Sequence, residues 1–94
     1  ILTRMNLTNT VSIPPQVMAR TVGEETVLLD LASGTYFGLD PVGTRIWQLI
    51  SEGKTVAAVC DNMLAEFDVS RDTLEADVMH LLGELRDKGL VNAA

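Results

Sequence analysis

At Asp40-Pro41 the hydrophobic period of this chain changes from two residues to about 3.6, dividing it into a strand-forming half and a helix-forming half. Before the switch, Thr26-Val27-Leu28-Leu29-Asp30-Leu31 and Thr35-Tyr36-Phe37-Gly38-Leu39 are β-rich runs on either side of Ala32-Ser33-Gly34. A Ser-Gly turn between two such runs reads as a hairpin. Val27, Leu29 and Leu31 alternate onto one face, as do Thr35, Phe37 and Leu39 on their own strand. A further run from Gln16 to Val22, with Gly23-Glu24-Glu25 as the turn after it, predicts a first strand. Of three strands at least one must be a sheet edge.

After the switch the pattern is helical. Asp40 is an N-cap with Pro41 at the first helical position, and Val42, Ile46, Trp47, Leu49 and Ile50 follow as far as the stop at Gly53. Thr55 caps a second helix through Phe67, striped by Val56, Val59, Cys60, Met63 and Leu64. Ser70 caps a third, to about Lys88 and Gly89, with Leu74, Val78, Leu81, Leu82 and Leu85 on one face. Leu90 and Val91 then return to the core. Asp77, Glu84 and Lys88 flank one side of the third stripe, and Glu75, Met79 and Arg86 the other; the sequence leaves open which side meets a strand. The order βββααα predicts an α+β fold, a three-stranded antiparallel sheet followed by a three-helix bundle, laid out as a winged helix-turn-helix. Residues 1–15, polar, Thr/Asn-rich and closed by Pro14-Pro15, predict a flexible tail ahead of one folded domain over 16–94. Ile1 to Arg4, ahead of Met5, are given no functional weight.

The chemistry such a chain can carry is narrow. Ninety-four residues with 47% hydrophobic content supply one core. Seven basic against 13 acidic residues give a formal charge of −6, which disfavours a nucleic-acid backbone or an anionic membrane as partner. Nothing approaches the ~20 apolar residues of a membrane span, and no signal-peptide core is seen at the start. The single cysteine, Cys60, cannot form an internal disulfide, which fits a reducing cytoplasm; in the stripe of the second helix it is a small buried hydrophobe. The single histidine, His80, lies on the polar side of the third helix without a nucleophile or metal-ligand spacing, and reads as a solvated surface residue. The carboxylates are spread over all the helices, and Ser33-Gly34 is a turn rather than a phosphate loop. No enzyme, metal site or cofactor is expected.

Two binding readings remain. The second and third helices form a helix-turn-helix pair, but residues 70–89 hold three basic against five acidic side chains, the wrong balance for a DNA recognition helix. The strand 35–39 offers an alternative. As a sheet edge its backbone would pair with an extended peptide, whose alternate side chains enter pockets. Gly38 either lets a partner approach closely or marks a bulge.

The run VLLDLASGTYFGLDPVGTRIWQLISEGKTV, read with Asp77-Val78 through Gly89-Leu90, resembles the PqqD-like proteins, also called RiPP recognition elements. These small domains bind precursor peptides of ribosomally made, modified natural products. The matching pieces are Leu28-Leu29-Asp30, Gly34-Thr35-Tyr36-Phe37, Leu39-Asp40, Gly43-Thr44-Arg45-Ile46-Trp47 and Gly53-Lys54-Thr55-Val56, in order over roughly residues 17–91. The look is more that of stand-alone lasso-peptide members than of dedicated pyrroloquinoline quinone members. The resemblance implies a winged helix-turn-helix that leaves DNA alone and takes the precursor's leader region as a strand beside the third strand. Main-chain contacts would come from Thr35, Tyr36, Phe37, Gly38 and Leu39, and Leu74, Asp77, Val78 and Leu81 would line the groove from the third helix. It implies a peptide chaperone, serving a separate radical-SAM enzyme, peptidase or cyclase. A DNA-binding regulator and a non-catalytic homodimerisation subunit are the competing expectations.

Overall fold

The computed structural model describes residues 7–93. Five strands and three helices follow in the order β1 (Val11–Ser12), β2 (Val17–Val22), β3 (Glu25–Asp30), β4 (Tyr36–Leu39), α1 (Pro41–Ser51), α2 (Val56–Glu66), α3 (Arg71–Asp87) and β5 (Asn92–Ala93). The main sheet is antiparallel in the order β2-β3-β4, so β2 and β4 are both edges. Val22 faces Glu25 across a two-residue loop in which Gly23 takes a φ of 65°, the positive value wanted at the first position of a II′ hairpin turn. The architecture is the α+β winged helix-turn-helix expected from the period switch.

Side-chain caps start all three helices. Asp40 Oδ1 accepts from Gly43 N–H at 2.7 Å, Thr55 Oγ1 from Ala58 N–H at 3.1 Å, and Ser70 Oγ from Thr73 N–H at 3.3 Å. The core is mostly helical: Ile46, Trp47, Leu49 and Ile50 of α1, Val56, Val59, Cys60 and Met63 of α2, and Leu74, Val78, Leu82 and Leu85 of α3. Leu90 and Val91 close it, and the sheet adds Leu28 and Leu39.

Three expectations need correction. The β3 face that meets the helices is Thr26, Leu28 and Asp30, all buried, while Val27 and Leu31 of the opposite row are exposed. Asp30 tolerates burial because its carboxylate accepts from Ala32 N–H at 2.9 Å, holding the turn into β4. Val42 is 39% exposed and lies outside the core. The tail is not loose in its described part: β1 pairs with β5, and Val11 is buried against the core. Leu7 and Asn9 carbonyls accept from Ala57 and Val56 N–H at 2.8 and 3.0 Å, filling the unpaired donors at the start of α2. Residues 1–6 of the expected tail lie outside the described residues.

Candidate functional site

The free edge of β4 and one flank of α3 face each other across an open cleft. Backbone pairing fixes which groups that edge presents. Asp30 N–H donates to Thr35 O at 2.9 Å, and the register runs Leu29↔Tyr36, Leu28↔Phe37, Val27↔Gly38, Thr26↔Leu39. Because pairs in an antiparallel ladder alternate between bonded and non-bonded, Thr35, Phe37 and Leu39 turn their backbone groups toward β3. Tyr36 and Gly38 turn theirs outward. Side chains alternate across the same strand: Leu39 is buried, Phe37 half-buried, and Tyr36 71% exposed on the outer face.

The cleft has a volume of about 480 Å³ and is lined by Phe37, Gly38, Leu39, Asp40, Val42, Gly43, Ile46, Asp77, His80, Leu81 and Glu84. Its floor is apolar and its rim carries three carboxylates. Asp40 joins it because the helix cap sits where β4 turns into α1. Gly43 permits that turn, since a Cβ there would lie 3.2 Å from Leu39 Cδ2 and 3.3 Å from Asp40 Oδ1. Val42 and Ile46 follow one helical turn apart. From α3, Asp77, Leu81 and Glu84 repeat at helical spacing, and His80 Nε2 lies 3.3 Å from Glu84 Oε1 at the mouth. Lys88, outside the lining, stands over Phe37 with its Nζ 5.8 Å from the centre of the ring. The flank of α3 that meets the strand is therefore Asp77, Glu84 and Lys88.

The structure brings together Phe37, Gly38, Leu39, Asp77 and Leu81 of the site residues expected from sequence. Tyr36 stands at the same edge through its backbone. Thr35 does not: its carbonyl is used by β3, and its N–H faces Ser33 Oγ at 3.3 Å. Leu74 and Val78 belong to the core, Val78 with 0% exposure, and neither lines the cleft. Their place on the expected wall is taken by the next residues around the helix. Asp40, Val42, Gly43, Ile46, His80 and Glu84 are lining residues that sequence reasoning missed. The signals were the i, i+4 pairs Val42/Ile46 and His80/Glu84, which nothing in the sequence assigns to a cleft rather than to solvent.

Comparison with known proteins gives the same outline. The family model of coenzyme PQQ synthesis protein D (PqqD) matches residues 25–91. A PqqA binding protein of Rhodopseudomonas palustris (strain HaA2) is 33% identical over 55 residues, 58% of this chain and 54% of that protein. The chain thus spans about half the length of this curated relative. Among solved structures, TbiB1 in complex with the TbiA(beta) leader peptide is 43% identical with a TM-score of 0.83, over 86% of this chain and 94% of that one. Lasso peptide synthetase B1 complexed with the leader peptide is 27% identical with a TM-score of 0.81, over 87% and 96%. The family match runs from the first residue of β3 to the buried Val91 and takes in every residue of the cleft. By fold, by helix starts and by sequence over most of its length, the chain belongs to the PqqD family.

Proposed function

We propose that this chain binds the leader region of a ribosomally made precursor peptide as an added strand on β4 and presents it to a separate modifying enzyme. The observation that carries the reading is the outward-facing N–H and C=O of Tyr36 and Gly38, set beside a cleft with an apolar floor. An extended peptide satisfies those groups with its own backbone while alternate side chains descend between β4 and α3. Two similar solved structures are complexes with leader peptides, and the curated relative is named for binding PqqA, which supports the same reading. In this role the chain is a cytoplasmic binding partner rather than a catalyst. The receiving enzyme is of the radical-SAM, peptidase or cyclase class. The acidic α3 weighs against a nucleic-acid partner.

Fluorescence anisotropy with labelled TbiA(beta) leader peptide tests the reading. Gly38 makes the test sharp, because its N–H points away from β3 and a Cβ there meets nothing within 4 Å. Gly38→Pro deletes one edge donor and leaves the ladder to β3 intact. The loss should weaken binding roughly tenfold, from one hydrogen bond of about 0.5–1.5 kcal/mol and the ring's intrusion on the added strand. Gly38→Ala should bind within about twofold of wild type. A folded Gly38→Pro protein with wild-type affinity would reject strand addition at this edge.

A further inference from the structure

We propose that the segment seated in this cleft pairs an apolar anchor with a basic side chain, and that Asp77 selects the latter. The inference rests on the peptide-binding reading above and concerns what kind of peptide is chosen.

Among the described residues, no arginine lines the cleft beside its three carboxylates. Arg45 is engaged by Glu66 at 2.8 Å, and Arg71 by Asp61 at 2.7 Å and Glu75 at 2.6 Å, all away from the lining. Asp77 is exposed and has no hydrogen-bond or ion-pair partner among the described residues. Glu84 meets His80, and Asp40 spends one oxygen on Gly43 N–H. Among the described residues no Lys or Arg lines the cleft; Lys88 is placed only against the Phe37 ring. Any acidic side chain lowered into it would meet like charge at short range, whereas a lysine or arginine would supply the missing counter-charge.

The spacing favours a paired requirement. Asp77 and Glu84 are two helical turns apart, about 10.5 Å along the axis at 1.5 Å per residue, and Leu81 lies between them on the same flank. Residues i and i+2 of an extended strand share a face roughly 6.5–7 Å apart. A peptide that sets an apolar side chain against Phe37 and Leu81 therefore brings its neighbour on that face within reach of a carboxylate. Lys88, at the Phe37 end, repels a cation there. The basic side chain accordingly lies toward Asp77 and the anchor toward Phe37.

The test is a lysine scan and a glutamate scan of the TbiA(beta) leader peptide, each peptide titrated by anisotropy against the wild-type chain, Asp77→Asn and Asp77→Lys. With the wild type, at least one position should bind roughly two- to fivefold tighter as lysine than as glutamate, the size of an exposed ion pair. That preference should shrink in Asp77→Asn, reverse in Asp77→Lys, and fade between 0.05 and 0.5 M NaCl. Peptides that bind with the same lysine-to-glutamate ratio at every position in all three proteins would overturn the charge selection and leave strand addition standing. A leader that binds none of the proteins would overturn both.

Discussion

Neighbouring residues on α3 have opposite fates. Val78 is completely buried, while Leu81, three positions on, is half-buried and lines the cleft. Val78→Asp would place an unpaired carboxylate in the core, a penalty of several kcal/mol against the ~5–15 kcal/mol that holds a small domain folded. Circular dichroism should therefore report an unfolded or molten chain. Leu81→Ala should keep the fold at a cost of about 1 kcal/mol and weaken leader binding instead, since what it removes is a wall of the cleft. Equal effects of the two substitutions on stability would contradict the placement of that wall. Cys60 illustrates the same control of chemistry by position. Burial pushes its thiol pKa up because the thiolate loses water, and Glu75 adds to the rise. The native protein should resist iodoacetamide at pH 8 and react fully once urea opens the core; rapid labelling of the folded chain would show α2 to be frayed.

At the scale of elements, capping does more than periodicity to locate the helices. Asp40→Ala leaves Gly43 N–H without its carboxylate and should cost about 0.5–2 kcal/mol, read as a lower urea midpoint at unchanged slope. Arg45 joins α1 to α2 through two 2.8 Å hydrogen bonds to Glu66, and those bonds hold the Glu66 carboxyl below its ordinary range. A depressed carboxyl stabilises the fold above its unfolded pKa, near 4.3, and loses that contribution as pH falls through the folded value. Glu66→Gln should therefore flatten the acid limb of the stability curve slightly, since both side chains are exposed and screened. The caps at Asp40, Thr55 and Ser70 and the stripes behind them were legible in sequence, because each rests on contacts within one or two turns. The sheet was less so. Val27, Leu29 and Leu31 look like a core row, yet the helices cover Thr26, Leu28 and Asp30. A strand with apolar residues on both faces cannot disclose which one the helices will meet. The cleft suffered similarly: Phe37, Gly38, Leu39, Asp77 and Leu81 were named in advance, but its carboxylate rim depends on which flank of α3 turns to β4. That choice is set by the whole packed bundle.

For the whole molecule, the segment before Pro14 connects parts that are distant in sequence. Its Leu7 and Asn9 carbonyls finish the start of α2, Val11 enters the core, and β1 pairs with β5 at the other terminus. Nothing in a polar, Thr-rich stretch announces this, because the contacts are mostly backbone groups and the strand is two residues long. The segment also precedes the family match, which begins at residue 25, and none of its described residues lines the cleft. Stability and binding should therefore separate. Removing residues 1–13 exposes the site filled by Val11 and returns two α2 donors to water. A loss of about 2 kcal/mol, the size of one buried valine, lowers Tm by roughly 8–16 °C in a domain of this size. Calorimetry on the shortened and full chains measures that shift, and anisotropy below both transitions measures leader affinity, which should agree within about twofold. Melting curves that coincide would show the segment to be dispensable to the core. A cold, folded, shortened protein that has lost the leader would instead show that docking at α2 reaches the cleft through the bundle, because none of the segment's described residues lines the cleft.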